Sequence, residues 1–141
     1  MAETEAAVMH PRLAEEWSEL CGLHPTATHA LEPERLELVL QLALDIYSQS
    51  DTPVAVLVPP GYRTTGPDGF LVPNGLVFSD GSPLPVSDGA GIGMPGWLLV
   101  SFHHTDENGA STWRPTADFR VGDNLIGYLS SIEHFLAHRC N

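Results

Sequence analysis

The chain has 141 residues, and its 18 acidic and 6 basic side chains give a formal net charge of −12. All six bases are arginine (Arg12, Arg35, Arg63, Arg114, Arg120 and Arg139), and lysine is absent. This balance excludes the basic stripe that nucleic-acid binding requires, the basic clusters that hold proteins to anionic membranes, and any chemistry that uses a lysine, such as a Schiff base or a phosphate loop.

Length fits a single domain, read as an N-terminal helical extension over residues 1–30 and a core over 31–141. The acidic start, Met1 to Glu5, has no apolar run behind it and predicts no secretory signal. No stretch approaches the roughly 20 apolar residues of a membrane span. Leu13, Trp17 and Leu20, spaced by four and three, predict a short amphipathic helix that His24-Pro25-Thr26 breaks. A stronger helix is predicted from Pro33, with Glu32, Glu34 and Glu37 near its positive end and Leu36, Val39, Leu40, Ala43 and Ile46 or Tyr47 on one face. It should end near Ser48 to Ser50.

Residues 53–105 read as strands. Val54 to Val58 is a valine-rich run stopped by Pro59-Pro60-Gly61. Phe70-Leu71-Val72 follows the turn Pro67-Asp68-Gly69, and Leu76-Val77-Phe78 follows Pro73-Asn74-Gly75. The tract from Asp80 to Gly96 is rich in glycine and proline and is long for a compact domain, which marks it as functional or mobile. Trp97 to Phe102 is the last strand. A C-terminal helix, capped by Asp123 or Gly122, buries Leu125, Tyr128 or Leu129, Ile132, and Phe135 or Leu136. The predicted class is α+β: helices at both chain ends covering one face of an antiparallel meander of about four strands.

Ser101-Phe102-His103-His104-Thr105 closes the last strand. Alternation puts Leu98, Val100, Phe102 and His104 on the core face, and Trp97, Leu99, Ser101 and His103 on the other. His103 reads either as an acid–base or ligand-contacting group, or as one of two histidines that pin a loop by hydrogen bonds. Adjacent strand histidines point to opposite faces and do not share an ion, and no HExxH, HxH or CxxC spacing exists, so no metal or other cofactor is expected. His134 and His138, four apart on the last helix, have the spacing to clamp a metal but read first as a solvated or capping face. Cys21, at a helix end, reads as a small apolar residue, and the penultimate Cys140 is badly placed for a preorganised nucleophile. The two cysteines form no metal-type pair, and a reduced, cytoplasmic setting is the simplest expectation, with a single Cys21–Cys140 disulfide as the alternative. No Gly-x-Ser-x-Gly elbow is present. Asp80-Gly81 and Asp88-Gly89 are turn chemistry rather than calcium loops. Gly89 to Gly93 joins no strand to a helix, so it is not a nucleotide loop. In Trp113-Arg114-Pro115 the indole is placed to pack under the helix start.

Order and residues together resemble a divergent bacterial family of the ubiquitin-conjugating-enzyme superfamily. The resemblance spans roughly residues 53–137 and lies in Val58-Pro59-Pro60-Gly61-Tyr62, Pro67-Asp68-Gly69-Phe70, Trp97 through Ser101-Phe102-His103, Trp113-Arg114-Pro115, and Asp123-Asn124-Leu125 before Tyr128-Leu129. The 116–122 stretch is like an insertion. The resemblance implies the ubiquitin-conjugating fold, with Ser101, His104, Asn108, Trp113, Arg114, Pro115 and Asp123 shaping the site. It also implies a partner that is a ubiquitin-like protein or an activating-enzyme-like protein. Conjugating enzymes hold their cargo on a cysteine just upstream of the Trp-x-Pro. Here residues 102–112 contain none, and a thioester requires a thiolate. The expectation is a non-catalytic binding module. The alternatives are a transfer enzyme with His103 in place of cysteine, and an acidic scaffold or immunity-type protein sharing the fold.

Overall fold

The computed structural model describes residues 9–31, 33–67, 69–84, 86–88, 93–101, 113–116, 118 and 120–138. Helix α1 (Pro11–Leu23) leads into β1 (Thr28–Ala30), β2 (Arg35–Gln41), β3 (Asp51–Leu57), β4 (Gly69–Pro73), β5 (Ser87–Asp88) and β6 (Trp97–Ser101). Helix α2 (Leu125–Leu136) follows. The fold is α+β. The strands form one antiparallel sheet in the order β1-β2-β3-β4-β6-β5, richer than four because of the short edge strands β1 and β5.

The main correction to the sequence reading is β2. Residues 35–41 form a strand, not the first half of a helix. Leucine and glutamate favour helix locally, and the segment satisfies a helical period. It equally satisfies a period of two, and burial follows that one: Leu36, Leu38 and Leu40 are buried while Val39 and Gln41 are exposed. Pairing with β1 on one side and over seven positions with β3 on the other (Arg35↔Leu57 to Gln41↔Asp51) outweighs the local preference. Residues 42–50 then form the β2–β3 connection. It is closed by a bond from Leu42 N–H to Ser50 O, and Tyr47 turns inward to donate its hydroxyl to Leu136 O at 2.8 Å.

Two smaller corrections follow. Leu76-Val77-Phe78 is not a strand: Val77 and Phe78 make single bridges, to Pro83 and Tyr47. The tract after Asp80 contains a piece of sheet, β5, against β6.

The two faces of the sheet have different cover. Leu36, Leu38, Leu40, Val54, Val56, Phe70, Val72 and Val100 meet Leu13 and Leu20 of α1 and Leu125, Leu129, Ile132 and Leu136 of α2 in the main core. The N-terminal helix is therefore a layer of the core rather than an appendage on it. The alternate residues Ala55 and Leu71, with Met94, form a second apolar cluster flanked by Leu57, Trp97 and Leu99. Alternation along β6 thus separates Leu98 and Val100 from Trp97 and Leu99, as the sequence predicts. No helix among the described residues is long and apolar enough to cross a membrane.

Candidate functional site

The most organised polar centre of the described residues lies where α1, the β3–β4 connection and α2 meet. In α1 the buried positions are Leu13, Glu16 and Leu20, so a carboxylate occupies the middle of the apolar stripe. Glu16 is fully buried, and Tyr62 and Arg63 are each 3% exposed. The Tyr62 hydroxyl donates to Glu16, 2.9 Å from Oε1 and 2.7 Å from Oε2. Arg63 Nε donates to Glu16 Oε2 at 3.1 Å. The Leu125 N–H, first in α2 and without an intrahelical acceptor, donates to Glu16 Oε1 at 3.0 Å and to the Tyr62 oxygen at 2.6 Å. Three segments distant in sequence are thus joined through one carboxylate.

Arg63 spends its remaining donors outward. Nη2 donates to Arg12 O at 2.9 Å and to Glu15 Oε1 at 2.7 Å, and Nη1 donates to Thr116 O at 3.3 Å. Burial pushes the Glu16 carboxyl above its usual range, against the hydrogen bonds from Tyr62, Arg63 and the Leu125 N–H. The same burial, reinforced by the adjacent Glu16 charge and hydrogen bond, pushes the Tyr62 phenol up. Glu15, at the surface, is held below its usual value first by its hydrogen bond from Arg63.

Trp113 sits against this junction. Its Nε1 donates to Arg63 O at 2.7 Å, and its ring meets Tyr128 of α2 edge-on at 6.4 Å. A Cβ at Gly66 would fall 2.6 Å from the indole, so the β3–β4 connection approaches Trp113 as only glycine allows. Asp123 does not cap α2, contrary to the sequence reading. It clasps Arg114 instead: Arg114 N–H donates to Asp123 Oδ2 at 2.6 Å, and Asp123 N–H donates to Arg114 O at 3.1 Å. This closes the loop that carries the 116–122 stretch. Pro115 lies half-buried inside that closure. The cap is Asn124, whose Oδ1 accepts the Gly127 N–H at 2.8 Å.

Of the other residues singled out in the sequence, Ser101 ends β6 opposite Gly69. His103, His104, Asn108 and Cys140 lie outside the described residues. The structure therefore brings Trp113, Arg114 and Asp123 together with Tyr62, and gives no placement of His103 relative to them. Cys21 is half-buried near the end of α1, and burial pushes its thiol up, the reverse of an activated nucleophile. Among the described residues no group of three or more histidine, cysteine or carboxylate side chains is positioned to hold a metal ion.

Sequence reasoning missed Glu16 and Arg63. The signal for Glu16 was present: a charged residue three after Leu13 and four before Leu20 lies inside the apolar stripe. It missed a second junction as well. Glu34 Oε2 accepts the His10 N–H at 2.7 Å and lies 2.8 Å from His29 Nε2, tying the start of α1 to β1 and to the residue preceding β2. The His29 side chain is 2% exposed, with the Trp17 ring edge-on to it.

Beside that junction, an apolar groove of about 290 Å3 opens on the sheet face opposite the helices, between the β3–β4 connection and Pro33. Comparison of the chain with models of known families, with curated proteins and with solved structures gives no match.

Proposed function

We propose that the chain is a non-catalytic binding module of a bacterial ubiquitin-like conjugation system, engaging a ubiquitin-like protein or an activating-enzyme-like partner. One observation carries this reading. Two of the motifs through which the sequence resembles the conjugating-enzyme superfamily, Pro59-Pro60-Gly61-Tyr62 and Trp113-Arg114-Pro115, are about 50 residues apart, yet they meet through Arg63, the residue after Tyr62. Trp113 Nε1 bonds to Arg63 O, and Tyr62 bonds the start of α2. The frame around them is helix, antiparallel meander, helix.

The chemistry of the described residues favours binding over transfer. Glu16, Tyr62 and Arg63 are sealed and spent on holding the fold, so no substrate reaches them. Cys21 carries a thiol shifted away from reactivity. Among the described residues an apolar groove stands open, and its open sheet face suits a partner surface.

The test is calorimetric titration of the chain with a ubiquitin-like protein and an activating-enzyme-like protein from one bacterial conjugation operon. Saturable binding of at least one, undiminished in His103→Ala, is the expected result. Binding of neither overturns the reading.

A further inference from the structure

The groove on the open sheet face has a composition that restricts what can fill it. Its floor is Leu57, Leu71 and Leu99, and its walls include Pro33, Pro59, Pro60 and Pro67. Proline carries no N–H donor, so these walls offer an incoming strand no main-chain donor, and recognition by strand addition is disfavoured. Among the described residues no lining side chain is a cation, so an anionic ligand would meet no charged donor there.

Among the described residues, the single ionisable side chain in the lining is Glu34. Its Oε2 already serves His10 N–H and His29 Nε2. Its Oε1 has no hydrogen-bond partner among the described residues, and the side chain keeps 21% exposure. The groove is therefore an apolar slot with one carboxylate oxygen at its wall. Gly69 preserves that shape, because a Cβ there would stand 2.3 Å from Val100 O and 3.2 Å from Leu99 Cδ1.

We infer that this groove is the docking surface for a protein partner, and that it takes an apolar side chain next to a lysine or arginine that pairs with Glu34. Two observations select that occupant. A slot of this volume stands at the lower limit of small-molecule sites, about 300 Å3. It lies on an open face, where a partner's side chain fits better than a free ligand that must be enclosed. The whole chain carries a net charge of −12 with no lysine, which steers basic partner surfaces toward it. The inference rests on the proposed binding function for the existence of a partner and adds the place and chemistry of contact.

The test is amide-resolved NMR titration with the synthetic peptide Ac-Ser-Gly-Leu-Lys-Gly-Ser-NH2, set beside a version with glutamate for its lysine and a version with serine for its leucine. The expected result is shifts centred on Leu57, Leu71 and Leu99 with the first peptide. Charge reversal should weaken binding about fivefold, in the range of one exposed ion pair. Glu34→Gln, which keeps an oxygen acceptor for His10, should abolish that difference while leaving the rest of the spectrum in place. Shifts elsewhere, no shifts at all, or equal binding of the charge-reversed peptide would overturn the inference. Equal binding of free leucinamide would also overturn it, because the site would then be a small-amine site. Loss of the groove with partner titrations intact removes this inference and leaves the proposed function standing. Groove binding of the peptide with no ubiquitin-like or activating partner bound does the reverse.

Discussion

Replacing Glu16 by alanine tests the account of the buried junction most severely. Three donors reach the carboxylate: the Tyr62 hydroxyl, Arg63 Nε and the Leu125 N–H. After substitution the Leu125 N–H keeps the Tyr62 oxygen at 2.6 Å, and Arg63 keeps Glu15, Arg12 O and Thr116 O. The Tyr62 proton and one guanidinium donor lose their acceptor in a site that excludes water. An orphaned buried donor costs about 1–3 kcal/mol, more when charged, and removing one partner of a buried pair costs about 3–5 kcal/mol. Because Arg63 retains Glu15, the lower end applies, and Glu16→Ala should destabilise the fold by about 3 kcal/mol. For a domain of this size that is a fall in Tm of about 10 °C, read by calorimetry or by urea midpoint at constant m. A second substitution at the same position separates the mechanism from simple loss of volume. Glu16→Met keeps most of the side-chain volume but supplies no oxygen acceptor, so it should recover less than about 1 kcal/mol of the loss. A cost below about 1 kcal/mol for Glu16→Ala, or a Glu16→Met variant as stable as wild type, would refute the reasoning.

Other outcomes follow from the same geometry. The folded Glu16 carboxyl titrates above its usual value because of burial. The folded state therefore holds its proton longer than the unfolded chain, and this group's contribution to stability is greatest below the usual carboxylate value and is lost as pH rises through the raised one. Urea midpoints for Glu16→Gln should fall less steeply than wild type across that window, and an unchanged slope would assign the pH dependence elsewhere. Gly66→Ala should cost about 1–3 kcal/mol by forcing the β3–β4 connection off Trp113, with a blue-shift or intensity change in Trp113 emission; a thermal midpoint equal to wild type would count against the contact. Asn124→Ala should cost about 1 kcal/mol through loss of the α2 cap, and Asp123→Ala should leave α2 helicity unchanged by circular dichroism while loosening amide protection at Arg114. Cross-strand Hα–Hα contacts between β2 and β3, as at Leu38 and Val54, distinguish a strand from a helix over 35–41.

The features legible in the sequence are those set by local pattern. The α1 stripe at Leu13 and Leu20, the β3 run, the turn at Pro73, and the alternation along β6 all follow from residues close together in the chain. β2 was not legible, because Leu36, Leu38 and Leu40, with Glu34 and Glu37 among them, satisfy two periods at once, and only pairing with β1 and β3 decides between them. The site divides in the same way. Trp113 beneath the start of α2 can be read locally. The charge buried with it cannot, because Glu16, Tyr62 and Arg63 lie far apart in sequence from Leu125 and meet only once the helices pack. Asp123 looked like a cap because it precedes the apolar period by two. Its carboxylate is taken by Arg114, and the cap passes to the next residue.

The reading of the chain as a binding module without transfer chemistry is tested most directly by intact-mass spectrometry. The chain is incubated with ATP, an activating-enzyme-like protein and a ubiquitin-like protein of one conjugation operon. The account predicts that the chain binds its partner yet keeps its own unmodified mass. An adduct heavier by one ubiquitin-like protein that disappears in His103→Ala would contradict it.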